Sequence, residues 1–285
     1  MATDVSPFSD TAKPPRRKRW VAMSLKMFVA LVTILAVGSA WEGMRIYQTQ
    51  IAIRHFESLG ASVVTGPGGA GWFYDKLGPD HAKLLDVVES VSLSNTPCTD
   101  ADLTFIERLR DVQRLSLGGQ FKGGIGDGLP LIFIPLEWKF GPAPPITDAG
   151  MASLHGLSSL RSLNLNRLPI SDVGLAEIAT LVNLERLDLS YTRVSDVGLA
   201  GLQKLTSLRA LNLRGTKVTG AGLVNLRPLA ELEHLDLRVT SVDDEGLGYL
   251  ADLTRLKELG LEETQVTGAA VAELERTLPR LIVVK

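Results

Sequence analysis

The chain of 285 residues carries 30 Lys and Arg against 32 Asp and Glu, and 45% of its residues are hydrophobic. This composition favours a globular protein with a buried core, and the near-neutral charge gives no support to nucleic-acid binding, which needs a strongly basic surface. The single cysteine, Cys98, cannot form an internal disulfide, so packing must hold the fold together.

Residues 1–19 form a basic tail, predicted to be cytoplasmic, and residues 20–41 form an apolar segment. As a helix this segment would rise about 33 Å, enough to cross a hydrocarbon core of roughly 30 Å. Because the basic cluster precedes it, the positive-inside rule predicts a single-pass membrane protein with a cytoplasmic N-terminus and the remaining chain outside the cytoplasm. Two alternatives stay open: a signal peptide cleaved near Ala40, which would give a secreted protein, and a buried helix of a soluble core.

Residues 42–87 are predicted to form a small α/β cap. Its first helix ends at Gly60, a strand follows from Ser62 to Thr65, and a second helix begins at Pro79.

From Leu160 the sequence repeats every 24 residues. The leading leucines of the units are Leu160, Leu184, Leu208, Leu232 and Leu256. A fixed period of this length indicates a solenoid, in which each unit buries its hydrophobic face against its neighbours. The same spacing fits an earlier unit from Val88, so the repeat domain is predicted to cover residues 88–285.

Each unit begins with L-x-x-L-x-L, whose alternation predicts a short strand with inward leucines. A Thr then recurs at the turn, as at Thr192 and Thr216, where its hydroxyl can bond the open backbone. Ser195 and Asp196 are typical of a helix start, and leucines at three-residue spacing predict the buried face of that helix.

The pattern L-x-x-L-x-L-x-x-T-x-V-S-D-x-G-L-x-x-L-x-x-L resembles the leucine-rich repeat family, closest to its ribonuclease-inhibitor-like and cysteine-containing variants. The resemblance implies an α/β solenoid with a parallel sheet on the concave face and short helices on the convex face. It also implies a protein-binding role more often than catalysis. The cap before the repeats is similar to that of membrane-anchored bacterial members of the family.

An interruption at residues 118–145 breaks the repeat. Leu117 and Ile146 are 29 residues apart, where Leu189 and Val194 are five apart, so the excess equals one period. The segment is either a degenerate repeat, with the residues around Trp138 as its strand, or an apolar excursion that leaves the stack. An excursion could be packed locally or could contact a partner or the membrane surface.

The residues that flank the inward leucines are predicted to form three solvent-facing rows on the sheet. Arginine and tyrosine are favoured at binding surfaces, and the rows gather both beside acidic residues. The predicted partner-binding residues are Arg186, Asp188, Tyr191, Arg214, His234, Asp236 and Arg238, together with Trp138 from the interruption.

No catalytic residue, metal site or cofactor is predicted. The four histidines occur in different contexts, and no zinc-binding or nucleophile motif surrounds them. The expected function is therefore a membrane-tethered module that binds a protein partner, with the lipid bilayer contacted through residues 20–41. A self-associating structural component of the cell envelope is the second hypothesis, and an unrecognised hydrolase is the third.

Overall fold

The computed structural model describes residues 25–66, 86–119 and 146–284. The chain divides into two compact units, Met1–Met44 and Arg45–Lys285. Helix α1 runs from Leu25 to Ser58, and the division falls within it. Residues 20–24 of the predicted span lie outside the described residues, and so does the predicted second cap helix. Among the described helices, none combines the length and the apolar character that crossing a bilayer requires.

In the described part of the chain, one sheet contains nine strands, which lie in chain order. The strands are β1 (Ser62–Gly66), β2 (Val87–Ser92), β3 (Arg114–Ser116), β4 (Ser162–Asn164), β5 (Arg186–Asp188), β6 (Ala210–Asn212), β7 (His234–Asp236), β8 (Glu258–Gly260) and β9 (Ile282–Val284). Neighbours from β2 to β9 pair in parallel, and the central apolar residue of each strand lies opposite that of the next, as Leu187 lies opposite Leu211. The parallel sheet expected from the repeats is confirmed for these strands.

Short helical segments return the chain from each strand to the next. They are α2 (Asp100–Leu103), α3 (Asp148–Met151), α4 (Asp172–Ile178), α5 (Asp196–Leu202), α6 (Asp244–Gly248) and α7 (Gly268–Thr277), with 3₁₀ segments at Thr104–Arg108, Ala152–Leu154, Gly220–Leu226 and Tyr249–Asp252. Ser171 and Ser195 cap their helices as predicted, since each hydroxyl accepts a hydrogen bond from a backbone N–H two residues on. The inward leucines of strands and helices are almost fully buried in one continuous core.

Threonine closes the bends after β2 and after β5 to β8, whereas the equivalent residue after β4 is Leu168. Thr192 and Thr216 each donate a hydroxyl hydrogen bond, of 2.6 Å, to the backbone carbonyl three residues earlier. The residue before this threonine has a left-handed backbone, with φ of 56° at Tyr191 and 63° at Gly215. The hydroxyl therefore satisfies a carbonyl that the sharp bend removes from the sheet ladder.

Aspartates at the first turn of the helices connect successive coils. Asp172 accepts hydrogen bonds from both the backbone N–H and the hydroxyl of Ser195, at 2.8 and 2.6 Å. Asp196 does the same for Thr219. The pattern is interrupted at Gly220, which occupies the aspartate position and whose unit is a 3₁₀ helix. It resumes at Asp244, which accepts the same two hydrogen bonds from Thr267. These carboxylates thus bond the next coil in addition to interacting with their own helix dipole.

The cap closes the first edge of the sheet in a way that the repeat pattern does not predict. Strand β1 pairs antiparallel with β2, so the sheet is not parallel throughout. Ala52 and Phe56 of α1 are fully buried in the core. His55 lies 2.8 Å from Asp102 and stacks on Phe105. Burial raises the pKa of Asp102, but hydrogen bonds from Thr99 and His55 outweigh it and leave this pKa below its ordinary value.

The interruption does not add a strand between its neighbours. Strands β3 and β4 pair directly, with Leu115 opposite Leu163, and Leu117 donates its N–H to Asn164. The interpretation of residues 118–145 as a degenerate repeat whose strand lies between β3 and β4 is therefore wrong. Residues 120–145 lie outside the described residues, so the apolar excursion stays a prediction. Trp138 lies outside the described residues.

Gly118 allows this direct contact between the coils. A Cβ atom at Gly118 would lie 2.4 Å from the carbonyl oxygen of Asn166, a distance that only a shift of the backbone could relieve. We expect Gly118→Ala to lower the free energy of unfolding by about 2 kcal/mol or more. Urea unfolding of the full chain, followed by circular dichroism, measures this change.

Gly248→Ala is the matched control, because Gly248 has helical φ and ψ and open space where its Cβ would point. This substitution should leave stability unchanged or raise it by up to about 1 kcal/mol. Equal behaviour of the two variants would contradict the direct pairing of β3 with β4.

Candidate functional site

Three rows of side chains flank the inward leucines on the outer side of the sheet, and we call this surface the sheet face. The row that begins each strand is accessible except at the buried Ala210 of β6, and Arg186 and His234 are both part-exposed. The other two rows are buried at β5 to β7, where Asp236 and Arg238 are each 2% exposed. The expectation that all three rows face solvent is therefore wrong for Asp188, Arg214, Asp236 and Arg238.

Local backbone bonding explains the middle row. Asn164, Asp188, Asn212 and Asp236 each accept a hydrogen bond, of 2.9 or 3.0 Å, from the backbone N–H two residues on. An Asn or Asp side chain is the right length for this bond at the end of a strand. The residues thus have a structural role that the alternation pattern does not reveal.

Asp236 and Arg238 form a buried ion pair. Arg238 Nε donates to both carboxylate oxygens, at 2.9 and 3.0 Å, and Nη2 donates at 2.5 Å. Glu262 lies 3.6 Å from Nη1 of the same guanidinium. Asp236 and Arg238, both predicted to bind a partner, therefore neutralise each other within the chain. Separating their charges in this buried site would cost several kcal/mol.

Asp188 lacks an ion-pair partner among the described residues. Its carboxylate accepts from the backbone N–H and the hydroxyl of Ser190, at 2.9 and 2.5 Å. Burial raises the pKa of Asp188 to about 6; the Ser190 hydrogen bonds lower it and the negative charge of Asp236 raises it.

Tyr191 lies at the bend after β5 and is held from several sides. Arg214 Nε donates to its phenolic oxygen at 2.8 Å. The guanidinium of Arg167 lies over the ring, 4.9 Å from the centroid. Gly215 leaves room for the ring, since a Cβ atom there would lie 2.6 Å from Tyr191 Cδ1. The ring is therefore a fixed, part-exposed anchor with two arginines against it.

Arg186 and His234 occupy the accessible row on β5 and β7. Arg186 makes no ion pair within the described residues, and its Nε is buried without a hydrogen-bond partner there. His234 Nδ1 lies 3.0 Å from Glu258, which is opposite it on β8. The histidine therefore bonds glutamate and neither of the aspartates on its face. Within the described ranges, no group of three or more His, Cys, Asp or Glu side chains is arranged to hold a metal ion.

The structure thus joins Tyr191 to Arg214 and Asp236 to Arg238, and leaves Arg186 separate. It also adds Arg167 and Gly215, which were not predicted as site residues. Their signal in the sequence is positional: both occupy the Tyr191 position of adjacent units, 24 residues before and after it. Stacked coils bring such positions together.

The stacked coils, parallel strands and threonine bends define a leucine-rich repeat solenoid, and comparison with known proteins supports this family. The family model described as Leucine Rich repeat matches residues 180–202 and 204–226. The chain is similar to internalin C2 of Listeria monocytogenes, with 24% sequence identity and a TM-score of 0.51. The matched region covers 69% of this chain and 70% of internalin C2. The chain is also similar to internalin F of the same species, with 20% sequence identity and a TM-score of 0.47. That match covers 67% of this chain and 52% of internalin F. The likeness to internalin C2 bears on the fold alone. No curated protein gives a significant match.

The raised pKa of Asp188 predicts a stabilising substitution. Asp188→Asn keeps the oxygen that accepts from Ser190 and removes the buried charge. A carboxyl whose pKa is higher in the folded state than in the unfolded state opposes folding once it ionises. We therefore expect Asp188→Asn to raise the free energy of unfolding by about 2 kcal/mol above pH 6. This increase should shrink as the pH falls toward 4 and vanish below that. Urea unfolding at a series of pH values measures the gain.

Asp236→Asn is the matched control, because it makes the same chemical change in a carboxylate that is paired. It leaves the buried Arg238 beside a neutral side chain and should lower stability at pH 7.5 by about 2 kcal/mol or more. A loss of stability in Asp188→Asn at pH 7.5 would contradict the unpaired, buried state of that carboxylate.

Proposed function

We propose that this protein is a membrane-tethered recognition module, of the bacterial leucine-rich repeat type with 24-residue units, that binds another protein outside the cytoplasm. A leucine-rich repeat domain is consistent with protein binding, because stacked coils present an extended surface whose outward residues are free of the core. The part-exposed row with Arg186 and His234 offers such a surface.

The observation that carries the binding role is the fixed position of Tyr191. Tyrosine and arginine dominate the energetics of many protein interfaces, and a ring already held in place loses little conformational entropy on binding. Arg214 and Arg167 hold the Tyr191 ring while leaving part of it accessible. Partner binding should therefore centre on this ring and extend onto the accessible row.

The membrane tether and the orientation rest on the sequence. Residues 20–41 have the length and the apolar composition of a transmembrane segment, and the basic tail precedes them. In this proposal the tail is cytoplasmic and the repeat domain lies on the far side of the bilayer.

Site-specific photo-crosslinking tests the binding role. A benzoylphenylalanine residue at position 186 of the full chain should crosslink one partner of constant mass in the cells that natively express the protein. Adding Tyr191→Ala should lower the yield at least five-fold, because the anchor is lost. Val197→Ala is the matched control: Val197 is 76% exposed on a helix, and its removal should leave the yield unchanged.

Two outcomes of this experiment would contradict the proposal. Equal crosslinking from position 204, which is exposed at the end of α5, would mean that the sheet face has no special role. A product of twice the chain mass, containing only this protein, would instead support the self-associating structural component.

Cysteine labelling tests the orientation. Cys98 is fully buried, and burial raises the pKa of its thiol to about 12, so the native thiol should not react with a maleimide. A cysteine introduced at the exposed Thr206 should react with a membrane-impermeant maleimide in intact cells. A cysteine introduced at Ser6 should react only after lysis.

Labelling of Thr206→Cys only after lysis would overturn the orientation. Loss of the N-terminal residues from the mature chain, measured by mass spectrometry, would replace the tether with a cleaved signal peptide.

A further inference from the structure

Four cationic residues lie at the bends after β4, β5 and β6, and two of them, Arg167 and Arg214, contact Tyr191. We call Arg167, Arg193, Arg214 and Lys217 the basic rim. Arg193 and Lys217 follow the bend threonines of consecutive coils, and the backbone N–H of Lys217 donates to Val194 at 2.9 Å. Because neighbouring parallel strands lie about 4.8 Å apart, these side chains emerge close together along one edge of the sheet.

Two members of the basic rim, Arg193 and Lys217, form no ion pair within the described part of the chain. Arg193 and Lys217 are exposed and make no ion pair there. The helix-start carboxylates Asp172 and Asp196 instead accept the hydrogen bonds of Ser195 and Thr219. The positive charges of Arg193 and Lys217 therefore have no ion-pair carboxylate among the described residues.

At the opposite edge of the sheet, the cationic side chains do form ion pairs with acidic side chains. The residues just before the strands alternate in sign along the stack: Arg161 pairs with Glu185, and Arg209 and Lys257 both pair with Glu233. Cations at that edge each pair with a glutamate of the neighbouring coil, whereas Arg193 and Lys217 of the basic rim make no ion pair among the described residues.

Tyr191 gives the basic rim a directional donor. Its phenolic oxygen accepts from Arg214, so its O–H proton is available to an incoming acceptor. A carboxylate placed there would receive this O–H and lie beside guanidinium groups, the donors that match carboxylate geometry best.

Resting on the proposed function, we infer that the basic rim is the docking site for an acidic segment, a run of Asp and Glu side chains, of the protein partner. Further along the same edge the bend after β8 carries Glu262 and Glu263. These two carboxylates repel an acidic segment, so docking is confined to the bends after β4 to β6.

Fluorescence polarisation with a fluorescein-labelled decaglutamate peptide tests the inference on the full chain in a non-ionic detergent. The peptide should bind at low salt, and a decaglutamine peptide should not. The double variant Arg193→Glu/Lys217→Glu should weaken binding at least ten-fold, and Tyr191→Phe should weaken it two- to five-fold by removing the phenolic donor.

Lys204→Glu/Arg280→Glu is the matched control, since it makes the same change in net charge at two exposed cations away from the basic rim. It should leave the affinity for decaglutamate within two-fold. Thermal unfolding of both double variants should match the unsubstituted chain, because all four side chains are exposed.

Several results would overturn the inference. A loss in the control equal to that of the rim variant would show non-specific attraction by net charge. Full competition by millimolar inorganic phosphate would assign the basic rim to phosphate groups. A dimer in sedimentation velocity that Glu262→Lys/Glu263→Lys dissolves would assign it to a second copy of the chain.

Crosslinking at position 186 separates the two proposals. If decaglutamate fails to bind while the crosslinked partner persists, the inference fails and the binding role stands. If the position-186 crosslink is also absent, the proposed function fails with it.

Discussion

Burial of leucine between neighbouring coils is the interaction on which the structure depends. Leu187, Leu211 and Leu235 are each 1% exposed or less, yet the three-residue strand that carries each of them could not shield it alone. Each such side chain contributes about 1.5–3 kcal/mol only when the next coil covers it. The first coil therefore needs the cap, and Phe56 of α1 supplies apolar surface there while β1 pairs with the outer edge of β2.

Leucine burial stabilises the stack of coils, whereas hydrogen bonds between and within coils determine the conformation of each bend and helix start. Threonine hydroxyls at most bends and aspartates at most helix starts satisfy backbone groups that no regular ladder reaches. Gly220 shows the limit of this arrangement. A Cβ atom there would lie 2.0 Å from Asp243 Oδ1, so neighbouring coils approach too closely at this position for the aspartate of other units.

Periodicity predicted the parts of the fold that repeat and missed those that occur once. The strands, the capped helices and the role of Thr192 follow from residue types at fixed spacing, whereas the antiparallel β1 has no counterpart in the repeats. On the sheet face, alternation predicted outward side chains but not their bonds. Asp236 and Arg238 are two residues apart on one side of the chain, and whether they bind a partner or each other depends on conformation, which spacing does not specify. The count of residues between Leu117 and Ile146 suggested a further strand in the sheet, but β3 pairs directly with β4.

The arginines of this surface differ in what remains for a partner. Arg238 is buried against Asp236, and removing it for binding would leave a carboxylate without its cation. Arg214 is also buried, but its Nε donates to a neutral phenol and it makes no ion pair among the described residues, so its positive charge acts on the surface near Tyr191. Arg193 is exposed at the bend two residues after that ring. Recognition should therefore centre on the edge of the sheet, where charge is free, and depend less on the middle of the face, where polar groups are occupied in holding the coils.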